Sequence, residues 1–409
     1  MDSNSVLIAA SSLILLFHFV DVVSHRMRIP SVIVLLAIGM AARPLVSRFF
    51  PGTGVHADVL QGLGFVGLGL IVLEGSMGLR WKSDSRKVFV RAGIAALAGI
   101  ALFLLPTAAL FRWTFDLSWK GAILHAAPLS VVSSAIAIPS AARLAPSLRE
   151  FISVESSFSD ILGVLLFNAI VLPGALGLGT LAEIGWRSAV VLTSSILVLA
   201  ILFKMLRDGS QHVRFVPILA SLILFYSIGK LLHLPSLLLV FLFGLAFTNL
   251  GALPAGPLRD WLVRDEFADD AKLMKTLVVE SAFLARTFFF FLFGFSMDLS
   301  DLASPLPWLV GSGIVGIVYA SRWIVLKSIW KGPSRQLLFI APRGLITVLL
   351  MGMVPAYHLV GEIATGPVLV VILGTTLAQL LGGKDVAEAA GMHELDIRLP
   401  LVNEAKEHG

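Results

Sequence analysis

The sequence has no cysteine and little charge, and both absences narrow the class of protein. Without cysteine the chain forms neither disulfides nor thiolate metal sites. Only 14% of the 409 residues are charged, whereas 57% are hydrophobic, and the mean hydropathy is +0.91. No soluble domain of this size needs so much apolar surface inside, so the composition predicts an all-α polytopic membrane protein.

Signals for several other classes are also missing. We find no phosphate-binding glycine loop, nucleophile elbow or nucleic-acid-binding module, and the histidines have no metal-ligand spacing. We therefore expect no enzyme, no resident cofactor and no nucleic-acid partner. The first apolar segment lacks a basic flank and a cleavage site, which favours a retained helix over a signal peptide. The net charge of +5 is typical of cationic loops that contact anionic lipid in the bilayer.

Thirteen apolar segments have the length, or nearly the length, needed to cross the hydrocarbon layer. Their approximate bounds are 5–23, 31–48, 58–79, 88–111, 119–140, 150–173, 186–206, 214–232, 236–250, 272–296, 307–329, 336–356 and 365–382. No loop between them has room for a second domain. Residues 1–383 are therefore expected to form one transmembrane unit, followed by a short cytoplasmic tail over 384–409.

The loop charges predict the orientation. With the N-terminus outside, the cytoplasmic loops hold 19 lysines and arginines and the outer loops hold 6. This asymmetry favours an outer N-terminus, a cytoplasmic C-terminus and an odd number of spans in the cell membrane.

Two of the segments are interrupted at corresponding places. Segment five (119–140) contains Pro128 and Pro139, and segment twelve (336–356) contains Pro342, Gly344 and Pro355. Such breaks in matching positions are typical of transporters built from inverted repeats. Segments five and twelve are seven positions apart in the order of the segments, as expected for two six-helix repeats joined by one linking helix. We therefore predict two inverted six-helix repeats joined by segment seven, with discontinuous helices that cross.

The pattern Glu155-Ser-Ser-Phe-Ser-Asp160 places two carboxylates in an apolar segment, which indicates a functional site. Asp160 lies deeper, next to Ser159 and one helical turn after Ser156. Carboxylate and hydroxyl oxygens suit an alkali cation, and burial favours the protonated acid, so a cation and a proton can compete for Asp160. The alternative is a structural acid paired with an arginine.

The other intramembrane charges leave more room for interpretation. Glu155 lies about 140° around the helix from Asp160, and we predict a structural ion pair with Arg343. Glu74 either attracts cations to a funnel or pairs with Arg80. Arg286 pairs with Glu280 or neutralises Asp160 in one state.

Arg322 lies near a helix end, where we expect its side chain to reach the interface.

The chain resembles the monovalent cation/proton antiporter superfamily of the sodium/proton exchanger type. Five motifs occur in the family's order over about residues 30–380, and each alone is weak. They are Pro30-Ser31-Val32-Ile33, Leu73-Glu74-Gly75, Glu155-Ser156-x-x-Ser159-Asp160, Phe289 to Gly294 followed by Ser296-Met297-Asp298-Leu299, and Pro342-Arg343-Gly344.

The resemblance implies a homodimer with the sodium/proton-antiporter fold. It implies a dimerisation domain over about 1–85 and 186–300, and a core over about 86–175 and 301–383 that moves like an elevator. Asp160 would then bind the monovalent cation or the proton, and Ser159 and Ser156 would add oxygen ligands. Ser133 and Ser134 would occupy the crossover, Glu155 and Arg343 would form the stabilising pair, and Glu74 and Arg286 would be accessory.

Two departures from the family pattern bear on function. Ser133-Ser134 stands where the family often has Thr-Asp, and Ser159 stands where it has Asn or Asp. The site thus has one ionisable carboxylate, which favours electroneutral exchange of one Na⁺ or K⁺ per proton. The competing hypotheses are a sodium-coupled symporter of a small organic anion, which needs a second cation site, and a gated cation channel, for which no filter sequence is found.

Overall fold

The computed structural model is predominantly helical, and no strand occurs in the residues that it describes. These residues are 3–27, 30–49, 57–79, 85–141, 144–171, 236–250, 267–297, 299–329, 335–354 and 365–389, with a few isolated positions between 186 and 227. We number the helices within them, so the labels do not count spans. They are α1 (Ser3–Met27), α2 (Ser31–Phe49), α3 (Ala57–Met77), α4 (Ser85–Phe115), α5 (Trp119–Ser130), α6 (Ser134–Ser140), α7 (Pro146–Val171), α8 (Ser236–Asn249), α9 (Phe267–Ser296), α10 (Pro305–Ile329), α11 (Arg335–Phe339), α12 (Leu345–Met353) and α13 (Thr365–Ala389).

Apolar helices confirm the membrane class. Five stretches of the described chain are long and apolar enough to cross a membrane, namely Arg86–Phe115, Trp119–Ser140, Pro146–Val171, Lys272–Ser296 and Pro305–Ile329. Helices satisfy their own backbone hydrogen bonds, which is what hydrocarbon requires. The predicted segments 186–206 and 214–232 lie almost entirely outside the described residues, as does the end of the tail. The number of spans therefore remains a prediction.

The helices pack in two groups. In the first group α9 lies along α2 and α3, and α8 packs on α3. In the second group α4 contacts α5, α7 and α10, while α10 also packs against α13. The groups meet mainly where α3 contacts α6, α7 and α12.

Both predicted interruptions are present. Segment five divides at residues 131–133, where the backbone is extended, and α6 begins at Ser134. Segment twelve divides at 340–344, around Pro342 and Gly344. The first break lies between the two prolines of its segment, and Pro128 and Pro139 are themselves helical. Pro355 lies outside the described residues.

Helices α2 and α9 approach until their backbones touch. A Cβ added at Gly39 would collide with the carbonyl of Phe291, and one added at Gly294 would collide with the carbonyl of Leu36. Each helix therefore presents its glycine to the backbone of the other. Small residues at such an interface allow the close approach that drives helix association in lipid.

We expect Gly39→Ala to destabilise the protein by about 1–3 kcal/mol, because the methyl group has no space and the two backbones must separate. Thermal unfolding of the detergent-solubilised protein measures the effect. Gly69→Ala on α3 is the matched control, since an added Cβ there meets nothing within 4 Å. Equal unfolding temperatures for the two variants would contradict the close contact.

Candidate ion-binding site

The two helix breaks touch each other through the backbone. The Ser133 N–H donates to the Pro342 carbonyl over 2.9 Å, and a Cβ added at Gly344 would lie 2.9 Å from the Ser133 hydroxyl oxygen. Side chains satisfy further backbone groups at these breaks. The Val132 N–H donates to the Ser159 hydroxyl over 2.9 Å, and the Arg343 N–H donates to the Thr375 hydroxyl over 3.1 Å. Irregular backbone at membrane depth is stable only when it is satisfied in this way.

Asp160 lies beside this crossing and is 1% exposed. Neither of its carboxylate oxygens has a hydrogen-bond partner among the described residues. The nearest polar groups are the hydroxyl and the backbone N–H of Ser134, which lie beside the carboxylate without completing a hydrogen bond of normal geometry. An isolated charged carboxylate is very costly to bury, so this side chain favours a bound proton or cation.

Buried hydroxyls without partners occur close to the crossing. Ser133 and Ser134 flank the first break, and each hydroxyl is buried with no hydrogen-bond partner in the described part of the chain. Most buried polar groups in proteins are paired. The hydroxyl oxygens of these two serines and the carboxylate oxygens of Asp160 are ligands of the kind that alkali cations bind.

Two other predicted ligands already make hydrogen bonds. The Ser159 hydroxyl accepts from Val132, so it holds the end of the first break. The Ser156 hydroxyl donates to the Ile152 carbonyl over 2.8 Å, within its own helix. A hydroxyl oxygen has two lone pairs, so these contacts restrict both serines without removing them as cation ligands.

The prediction that Glu155 pairs with Arg343 is wrong, because its partner is Arg322. Two hydrogen bonds of 2.8 and 3.1 Å join the Arg322 guanidinium to the carboxylate, and both side chains are buried. The Arg322 Nε also donates to the Leu337 carbonyl over 2.6 Å. Such a bidentate geometry is the strong form of this contact.

The expectation that the Arg322 side chain reaches the interface is therefore also wrong. Arg322 lies seven residues before the end of α10, about 10 Å along the axis. It shares a buried stripe with Ile314, Val318 and Val325. Exposed positions of α10, such as Leu309 and Ile324, are also large and apolar, so the sequence periodicity gives no signal that Arg322 is buried.

Arg343 instead supports the first break. Its Nε donates to the Leu129 carbonyl over 2.6 Å, in the last turn of α5, and its Nη1 donates to the Ala341 carbonyl over 3.1 Å. The guanidinium also lies 5.4 Å from the centre of the Phe103 ring. A cation at a helix C-terminus stabilises the exposed carbonyls there. Among the described residues no carboxylate lies within ion-pair distance of Arg343.

Glu74 and Arg286 form the second intramembrane pair. The Arg286 Nη1 lies 3.8 Å from the Glu74 carboxylate and 3.5 Å from the Ala135 carbonyl of α6. Arg286 on α9 thus contacts α3 and α6 at the junction of the two helix groups. Glu280 is exposed, and Arg80 lies outside the described residues.

A small cavity of about 20 Å³ lies behind the crossing. Its polar lining includes Glu155, Ser159, Arg322 and Arg343, and Asp160 does not line it. This volume holds about one water molecule.

The sequence matches the family model described as "Sodium/hydrogen exchanger, transmembrane" over residues 10–383. The chain belongs to the sodium/hydrogen exchanger family. The resemblance seen in the five motifs is thereby confirmed, and the chain is a multi-pass membrane protein.

Solved structures of an archaeal antiporter have the same fold. The structure of the sodium proton antiporter MjNhaP1 from Methanocaldococcus jannaschii at pH 8 has a TM-score of 0.70 and 21% identity, and the match covers 95% of this chain and 98% of that one. The electron microscopy structure of the same antiporter also has a TM-score of 0.70, with 20% identity over 96% and 97% of the two chains. No curated protein matches the sequence.

We expect Arg322→Met to destabilise the protein by about 3–5 kcal/mol, because it leaves the Glu155 carboxylate buried without a partner. Thermal unfolding in detergent measures the loss. The double variant Glu155→Gln with Arg322→Met should recover much of the stability, since no buried charge remains unpaired. If the double variant is as unstable as the sum of the two single variants, the two side chains do not act as a pair.

Proposed function

We propose that this protein exchanges Na⁺ or K⁺ for H⁺ across the cell membrane, with Asp160 binding the cation and the proton in turn. The observation that carries the proposal is the buried, unpartnered carboxylate of Asp160 beside the crossing of the two helix breaks. Family membership and the fold shared with a sodium proton antiporter support it. Cation and proton exclude each other at one carboxylate, and this competition is the basis of exchange.

The serines complete the site. Ser133 and Ser134 supply hydroxyl oxygens that have no other partner in the described residues, and Ser134 lies beside the Asp160 carboxylate. Ser156 and Ser159 hold their helix and the break through hydrogen bonds and add lone pairs towards the cation. When the site binds a cation, the oxygens replace part of its hydration shell.

We infer an electroneutral exchange of one cation per proton. Glu155 is neutralised by Arg322, and Glu74 lies beside Arg286. Asp160 is then the carboxylate at the crossing that can change its charge state. One ionisable group that takes either one cation or one proton transfers no net charge in a full cycle.

The movement that exposes the site to each side in turn is proposed to be an elevator. The group of helices around α4, α7, α10 and α13 corresponds to the core over 86–175 and 301–383. The group around α2, α3, α8 and α9 corresponds to the dimerisation domain over 1–85 and 186–300. Sparse packing between the groups, compared with that inside each group, supports a sliding surface. A homodimer with an outer N-terminus and a cytoplasmic C-terminus completes the proposal.

We expect Asp160→Asn to abolish exchange, because the amide neither binds a proton at neutral pH nor attracts a cation with a full charge. Proteoliposomes that contain a pH dye and receive pulses of Na⁺, K⁺ or Li⁺ measure proton movement. Asp116→Asn is the matched control, since Asp116 is exposed in the turn after α4, and it should behave as the wild type.

Proton movement by Asp160→Asn on a cation pulse would overturn the site assignment. A wild type that moves no protons with any alkali cation would overturn the function. Cation-driven uptake of an organic anion without proton release would favour the symporter.

We expect no net charge movement during exchange. Capacitive currents from proteoliposomes on a solid-supported membrane, after a jump in cation concentration, test this directly. The current should stay at the level of Asp160→Asn while the pH dye reports proton movement. A sustained current that depends on the membrane potential would show that more than one charge takes part.

A further inference from the structure

Ser157 differs from three helical serines near the site. The hydroxyls of Ser130, Ser140 and Ser156 donate to backbone carbonyls of their own helices at 2.6 to 2.8 Å, as helical serines commonly do. The Ser157 hydroxyl is completely buried and has no hydrogen-bond partner in the described residues. Its oxygen therefore points away from its own helix.

The oxygen faces α3 at Gly75. A Cβ added at Gly75 would lie 3.4 Å from the Ser157 hydroxyl oxygen and 2.8 Å from Cδ1 of Ile138. A Cβ at Gly75 has no room against Ile138, so α3 and α7 pack closely here, with the Ser157 hydroxyl at the contact. This contact lies where the two helix groups meet.

Charged residues occur near this contact on both helices. Glu74 precedes Gly75 and lies beside Arg286, which in turn reaches the carbonyl of Ala135. Asp160 lies three residues after Ser157, so the two side chains lie on one side of α7, about 5–6 Å apart at Cβ. Ser157 therefore lies one helical turn before Asp160 on α7 and contacts α3 at the residue after Glu74.

A buried hydroxyl without a partner costs about 1–3 kcal/mol. Alanine at position 157 would avoid that cost and keep the helix. The presence of a serine is therefore explained by a further group that binds its hydroxyl oxygen. The group that fits the unpartnered Asp160 carboxylate and several hydroxyl oxygens without partners in the described residues is a cation. We propose that Ser157 is a ligand of the transported alkali cation beside Asp160, in addition to the serines at the crossing. This inference rests on the proposed exchange function.

Ser157→Ala tests the ligand, with Ser76→Ala as the matched control. Ser76 is also buried, but its hydroxyl donates to the Leu73 carbonyl and its side chain faces Gly244 on α8. Proton movement in proteoliposomes is measured against the concentration of Na⁺, K⁺ and Li⁺. Thermal stabilisation of the detergent-solubilised protein by each cation measures binding without transport.

We expect Ser157→Ala to raise the apparent KM for the preferred cation about three- to tenfold, because one oxygen ligand is lost. The ratio of KM values between Na⁺, K⁺ and Li⁺ should change as well, which a packing defect would not cause. The cation-dependent stabilisation should weaken in parallel. Ser76→Ala should match the wild type in every measurement.

Gly75→Ala provides a second variant that keeps Ser157 and places a methyl group against Ile138 and the Ser157 hydroxyl from the other helix. This variant should also raise the KM for the cation. It tests the role of Ser157 as a cation ligand if Ser157→Ala does not fold. If both variants keep the KM values and cation ratios of Ser76→Ala, the Ser157 hydroxyl binds a buried water or nothing, and the proposal is wrong. Absence of exchange in the wild type would instead overturn the proposed function.

Discussion

The hydrogen bond from the Ser133 N–H to the Pro342 carbonyl joins two breaks that neither helix could maintain alone. A broken helix in a membrane exposes N–H and carbonyl groups where no water can reach them, and each group without a partner costs several kcal/mol. Here the freed groups find partners in the opposite break and in the side chains of Ser159, Thr375 and Arg343. The broken geometry is stable because these contacts act together, and it places Asp160 where none of the described residues neutralises it.

The buried charges divide into neutralised and free ones. Glu155 lies one and a half turns before Asp160 in the same helix, yet its two oxygens bind a guanidinium and those of Asp160 bind nothing in the described residues. The Glu155–Arg322 pair joins α7 to α10 inside one helix group. The Arg286–Glu74 pair lies at the junction between the groups. Breaking a buried pair leaves an uncompensated charge, whereas an ionisable side chain without a partner in a membrane segment indicates a candidate functional site.

The sequence was sufficient for much of the fold and for part of the site. The break in segment twelve lies at Pro342 and Gly344, as the sequence indicates, whereas the break in segment five lies between two prolines that are themselves helical. Pro44 and Pro106 lie inside unbroken helices, so proline alone does not fix where a helix breaks. Asp160 could be predicted because a carboxylate in an apolar helix is costly in any fold. The partner of Glu155 could not be predicted in this way, since Arg322 and Arg343 are equally charged and only the packing of α7 against its neighbours separates them.

Ser157 was missed for the related reason that a helical serine usually bonds to its own backbone, and only the structure shows that this one does not.

The contact of α2 with α9 through Gly39 and Gly294 has a mechanical consequence. Helices that slide over one another do so by exchanging side-chain rotamers in the layer between them. At these two glycines there is no such layer, because backbone meets backbone. Neither helix can therefore shift past the other at this point without separating the two backbones, and we expect α2 and α9 to keep their relative position.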